Sequence, residues 1–172
     1  MTDWTAIIRE HGALVWRCAY RVLGNQADSE DACQKTFLAA VEFEAKENIR
    51  NWPSTLSVLA TRQALMLLRS RIRVRQRTQT LPVNLPKDPS LFEPGQQAQA
   101  TELADHLRIA LAEIDSVQAE VFCRVCLEGL TNQQAAAELG LTTSHVGVLL
   151  HRARAILKEK LLSFAPQKEM LP

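Results

Sequence analysis

Thr131-Asn132-Gln133-Gln134-Ala135-Ala136-Ala137-Glu138-Leu139-Gly140-Leu141-Thr142-Thr143-Ser144-His145-Val146 decides the reading of this chain. The spacing is that of two short helices joined by a tight turn. Thr131 caps the first helix, and a small Ala135 or Ala136 lets the helices cross closely. Gly140 supplies the turn and Leu141 fills the gap behind it. Thr142 or Thr143 opens the second helix, which Val146 anchors. A unit of this kind lays the N-terminal end of its second helix in the DNA major groove. That helix continues through Leu149-Leu150-His151-Arg152-Ala153-Arg154. Arg152 and Arg154 lie two positions apart, so they straddle a phosphate backbone rather than read bases.

Working outward, helical stripes at spacings of three and four fill the rest of the C-terminal part. One is Leu103, Leu107, Ala110/Leu111 and Ile114; another is Val117, Val121/Phe122 and Val125, ended by Glu128-Gly129. Upstream, residues 79–100 are rich in Pro and Gln, a composition that cannot bury a core and reads as a linker. Before the linker three more helices are expected. The first ends at Gly24-Asn25. The second opens at Asp28 or Ser29 and buries Ala32/Cys33, Thr36/Phe37 and Ala40/Val41. The third begins near Asn51-Trp52-Pro53 and fades after Arg71. The expected fold is all-α, with a three-helix domain at 1–78, a linker at 79–100, a four-helix domain at 101–165 and a tail at 166–172.

Composition agrees: 47% of residues are apolar but only 5% aromatic, so the core is aliphatic, and Gly and Pro are too sparse for a turn-rich β fold. The net charge of +1 hides a local polarity. No acid occurs from Asn51 to Lys87, where Arg62, Arg69, Arg71, Arg73, Arg75 and Arg77 lie. The preceding stretch from Asp28 to Glu47 carries Asp28, Glu30, Asp31, Glu42, Glu44 and Glu47 against only Lys35 and Lys46. One surface for a polyanion and another for a different partner are expected. No apolar run reaches the roughly 18 residues of a membrane helix, and Met1-Thr2-Asp3-Trp4 lacks a signal-peptide pattern. A cytoplasmic protein without membrane contact is expected, with Cys18, Cys33, Cys123 and Cys126 as free thiols. Cys123-Arg124-Val125-Cys126 is a CxxC with no second ligand pair nearby, so neither a structural metal nor a redox role is assigned. No catalytic constellation or Gly-rich phosphate loop is present, so no enzymatic activity and no cofactor are expected. Trp4 and Trp16 read as packing residues, and Trp52 as either core or a stacking platform for open DNA, with core favoured.

Two sets of motifs together resemble the extracytoplasmic-function (ECF) group of bacterial RNA polymerase sigma factors. Leu127-Glu128-Gly129-Leu130-Thr131, the helix-turn-helix and Leu149 to Arg154 are similar to that group's C-terminal promoter-reading domain. Asp31-Ala32-Cys33-Gln34-Lys35-Thr36-Phe37-Leu38, then Leu59 to Leu65 and Leu68-Arg69-Ser70-Arg71, resemble its N-terminal domain. The resemblance covers nearly the whole chain in the right order. It implies core RNA polymerase, promoter DNA and an anti-sigma factor as partners. It places Asp31, Gln34 and Lys35 at the polymerase surface and Arg62, Arg69, Arg71 and Arg73 at a melted minus-ten strand. Thr143, Ser144, His145 and His151 fall at minus-thirty-five bases, and Arg152 and Arg154 at phosphates. Departures are as informative. Arg62 stands where the group usually has Asn, Thr55 for Trp, Met66 for Asp and Lys35 for Glu. Gly147 and Leu149 replace common basic residues, and Val148 a polar one. A promoter preference unlike the common one is therefore expected. Alternatives are a helix-turn-helix regulator that does not engage polymerase and a sigma-like interaction protein with decayed DNA readout.

Overall fold

A computed structural model describes residues 2–77 and 94–164. Most of the expected linker and all of the tail at 166–172 lie outside the described residues. Within them every regular element is helical: α1 (Trp4–Leu23), α2 (Gln26–Glu44), α3 (Trp52–Arg77), α4 (Pro94–Glu113), α5 (Ser116–Phe122), a π-helical turn (Cys123–Leu127), α6 (Asn132–Leu139) and α7 (Thr143–Phe164).

Local chemistry sets the helix ends. Gly24 closes α1 in the left-handed conformation (φ 70°), its N–H donating to the Tyr20 carbonyl at 2.8 Å. Asn25, not Asp28 or Ser29, then caps α2: it is extended, and its Oδ1 accepts from the Asp28 N–H at 2.9 Å. Asp28 and Ser29 lie buried inside the helix, and Ser29 Oγ donates back to the Asn25 carbonyl at 2.6 Å. The buried face of α2 is also narrower than expected, because Ala40 is buried whereas Val41 is 44% exposed.

α3 begins where expected but does not fade after Arg71. Ile72 packs on the core, Arg71 pairs with Asp28 of α2, and Arg75 and Arg77 suit the negative end of the helix dipole. α4 starts at Pro94, within the stretch read as linker, with Pro in the first turn where no N–H is required. Thr131 and Gln134 form a reciprocal capping box at α6. Gly140 takes φ 67° in the turn, and Thr142 Oγ1 accepts from the His145 N–H at 3.1 Å to start α7.

Three apolar clusters organise these helices. Val15, Cys18, Ala40, Leu56 and Ala60 hold α1–α3 together. Trp4 and Trp52 pack against them edge to face at 5.3 Å. Trp16 instead lies at the surface, stacked on Tyr20. Val121, Ala135, Ala136, Val146, Leu149 and Leu150 form the helix-turn-helix core, with Leu141 against it. The third cluster joins the two parts of the chain: Ala19, Ala64, Leu65 and Leu68 meet Leu111, Ile114, Ala119, Cys123 and Leu157. Its alanines let α1 and α3 approach the C-terminal helices closely.

Candidate nucleic-acid interface

Burial divides α7 cleanly. Val146, Leu149, Leu150, Ala153 and Leu157 face the core, while Thr143, Ser144, His145, Val148, His151, Arg152 and Arg154 are exposed. At 3.6 residues per turn Ser144, Val148 and His151 fall on one stripe. His145 and Arg152 flank it on one side, Arg154 on the other. The two arginines thus diverge across the stripe. One Arg154 Nη2–H points to Cys126 Sγ at 3.4 Å. Gly147 has free space beside it; an added Cβ would meet only Asn132 Nδ2, at 3.9 Å.

The second basic surface is built differently. Arg62, Met66, Arg69 and Arg73 recur at three and four residues along α3, so they share a stripe, whereas Arg71 points the other way, to Asp28. That stripe meets the C-terminal helices. Arg62 Nε donates to Glu120 Oε1 on α5 at 2.7 Å. The Arg69 guanidinium spans the α4–α5 junction, donating to the Ala112 and Ile114 carbonyls (both 3.3 Å) and to Ser116 Oγ at 3.1 Å. Arg73 Nε donates at 3.5 Å to the carbonyl of Arg69 on its own helix.

Beside this contact lies a charge network that sequence reading missed. Arg124, 1% exposed, pairs with Glu128 and Glu138 and donates to Ser57 Oγ at 2.8 Å. Glu128 also accepts from Thr61 Oγ1 at 2.6 Å. The network lines a cleft of about 340 Å³ between α1, α3 and the C-terminal helices. Arg108 adds a further tie: its Nε donates to the Val22 carbonyl at 3.2 Å, and its guanidinium covers Gly24, where any Cβ would collide with it. One sequence signal existed, since Val117, Val121, Arg124 and Glu128 continue a single helical stripe, which puts Arg124 on an apolar face.

Burial dominates the titration of this region. It pushes the Glu120 carboxyl above its ordinary value of 4.5, with Arg62 opposing. It also raises the Cys123 thiol, and it pushes Cys18 up to about 12 and Cys33 up to about 11. These thiols stay protonated and are poor nucleophiles. The two cysteines of the CxxC differ: Cys123 is buried and Cys126 exposed. Among the described residues no cluster of three or more His, Cys, Asp or Glu has metal-binding geometry, and no helix is long and apolar enough to cross a membrane.

The third predicted surface, on α2, is an exposed edge. Gln34 is free of the core, Lys35 Nζ pairs with Asp31 Oδ2 at 2.9 Å, and Phe37 is half-buried against the core. Leu38, 65% exposed, and Val41 extend this edge as an apolar strip that the sequence reading did not include.

Residues 7–74 match Sigma-70 region 2 and residues 107–157 match Sigma-70 region 4. Over 167 residues, 94% of this chain, the sequence is 32% identical to the ECF RNA polymerase sigma factor SigE of Mycolicibacterium smegmatis, and it spans 62% of that relative's length. Two solved structures share the fold. CnrH in complex with the cytosolic domain of CnrY is 21% identical (94% of this chain, 88% of that chain, TM-score 0.53). The sigma factor RpoE in complex with the anti-sigma factor NepR from Bartonella quintana is 19% identical (96% of this chain, all of that chain, TM-score 0.54). With regions 2 and 4 both matched in order across most of the sequence, this chain belongs to the sigma-70 family, and it is similar along 94% of its own length to a member of the ECF group.

Proposed function

We propose that the chain acts in the cytoplasm as a sigma factor, directing core RNA polymerase to promoters rather than catalysing a reaction itself. The observation that carries this reading is that regions 2 and 4 occur together and each carries a basic helix. α7 offers hydroxyls, imidazoles and arginines to a duplex. α3 offers a basic stripe suited to the backbone and bases of a separated strand. Asp31, Gln34 and Lys35 form the polymerase-docking edge, and the exposed Leu38 beside them adds apolar area to it. Thr143, Ser144, His145 and His151 read the minus-thirty-five duplex, and Arg152 and Arg154 hold its phosphates.

In the packed arrangement Arg62 and Arg69 are already bound by the C-terminal helices. For Arg62 and Arg69 to hold a minus-ten strand alongside Arg73, the two parts must separate, and docking on polymerase supplies the energy for that step; Arg71, on the opposite face, stays paired with Asp28. An anti-sigma factor that favours the packed arrangement keeps the protein idle.

In vitro transcription with purified core polymerase and a promoter library tests the reading directly. Transcripts should begin at defined sites only when the chain is present. Reversing the docking chemistry (Asp31→Arg with Gln34→Arg) should weaken core binding at least about tenfold while helicity stays intact. Unchanged core affinity in a folded double variant would remove α2 from the docking surface. Sequence-specific DNA binding without any polymerase association would favour a regulator that does not engage polymerase.

A further inference from the structure

The exposed stripe of α7 holds one residue that neither packing nor charge explains. Val148 is 46% exposed, although the adjacent Leu149 and Leu150 and the nearby Val146 are buried in the helix-turn-helix core. Its side chain is therefore not a core residue that happens to reach solvent. Nor does it help the helix form, because β-branched Val is a weaker helix former than Ala, Lys or Gln at an exposed site.

Its surroundings are polar and free of acid. Ser144 lies one turn before it, His151 and Arg152 one turn after, and His145 alongside. No Asp or Glu occurs from Thr143 to Lys158. An apolar side chain centred in a hydroxyl, imidazole and guanidinium surface does not match an apolar protein partner. It does match the floor of the DNA major groove, where polar base edges are interrupted by one apolar feature, the C5 methyl of thymine. Val148 lies in the first two turns of α7, the part of a recognition helix that reaches base edges. The space beside Gly147 removes a bulky neighbour that would hold the helix away from the groove floor.

We propose that Val148 is a specificity-determining residue that packs on a thymine methyl in the promoter duplex. This inference rests on the reading of α7 as the duplex-reading helix. Val148 selects thymine by its methyl, while Ser144, His145 and His151 supply the hydrogen bonds around it.

Uracil differs from thymine only by that methyl, so the test removes this one group from the DNA. Duplexes preferred by the holoenzyme are selected from a random pool, and each thymine is then replaced in turn by deoxyuridine. For the wild-type chain one position should lose about fourfold in affinity, the effect of withdrawing one buried methyl from contact. Val148→Ala should bind the thymine duplex about as weakly as the wild type binds the uracil duplex, and should no longer distinguish the two. Val148→Thr, which keeps a γ-methyl, should retain part of the distinction. The site is exposed, so these variants keep the fold, which circular dichroism checks. An unchanged thymine-to-uracil ratio in Val148→Ala, or the absence of any uracil-sensitive position, overturns the assignment while leaving α7 as the duplex reader. If selection yields no preferred duplex and Arg152→Ala leaves binding untouched, the reading of α7 itself falls, and this inference with it.

Discussion

The chain carries two basic helices proposed to contact nucleic acid, and they are in opposite states. On α3 the stripe of Arg62, Arg69 and Arg73 is occupied by protein: a carboxylate from α5, two carbonyls and a hydroxyl at the α4–α5 junction, and a carbonyl of its own helix. On α7 the stripe of Ser144, Val148 and His151, with Arg152 beside it, is open, and no described element packs over it. The two surfaces look alike in sequence, since both place cations on an amphipathic helix. What separates them is the facing element. α5 contributes Glu120, buried to 8% exposure, whose charge needs a cation. Charge patterning along a helix thus locates its cations, while their availability depends on which anions the tertiary fold brings opposite.

The largest effect on this contrast is expected at Arg124. Truncating it to Ala leaves Glu128 and Glu138 close together in a half-buried site without their shared cation. A loss of about 3–5 kcal/mol in urea unfolding is expected, the usual cost of breaking a buried charge network from one side. A change below 1 kcal/mol would show that water in the adjoining cleft screens the network.

The next effect concerns the cover over α3. Glu120→Lys puts a like charge against Arg62 at a buried position, so the packed arrangement should open. X-ray scattering should report a larger radius of gyration, and a fluorescent single-stranded oligonucleotide should bind at least about tenfold more tightly at low salt. A variant that opened without gaining strand affinity would separate the packing from the occlusion. The wild-type contact also has a pH signature of definite sign. Because burial raises the Glu120 carboxyl above 4.5, protonation favours the packed form. This contribution is complete below that ordinary value and is lost as pH climbs through the raised one. Glu120→Gln should flatten the dependence in that window, and a profile unchanged by the substitution would assign it to another group.

The smallest effect falls on the open helix. Arg152→Ala should weaken binding to unlike promoters about equally and reduce the salt slope by about one unit, as expected of one lost phosphate contact. His145→Ala should instead reorder promoters and leave the slope nearly unchanged. The opposite pattern would mean that α7 docks in the groove with a different face.

Local signals made most of the helix-turn-helix legible in sequence. Thr131, Gly140, Leu141 and Val146 each act within a few residues of their own position, and the structure uses them as read. Helix ends set by competing side chains were harder. Asn25 precedes two other good caps, Asp28 and Ser29, and only the extended backbone at Asn25 decides among them. α3 outran its expected end because Arg71 and Ile72 find partners on other elements. The contact between the two parts of the chain was the least legible feature. Arg62 and Glu120 are 58 residues apart, Thr61 and Glu128 are 67, and a single charged residue on a helix does not advertise a partner at such distances. Arg124 alone broke an apolar stripe visibly enough to have been noticed.

The π-helical turn at Cys123–Leu127, closed by the Glu128 N–H donating to the Cys123 carbonyl at 3.0 Å, works as a phase adjuster. Relative to an unbroken α-helix it spends one additional residue without advancing the helical count, and one residue corresponds to about 100° of rotation. Everything downstream is hung from that offset, including the turn at Gly140 and the exposed face of α7. Deleting one residue here would restore regular winding but would swing the exposed face of α7 by about a quarter-turn relative to α3. The angular timing between the covered helix and the open one is therefore written into a single backbone insertion, which point substitutions on either surface leave untouched.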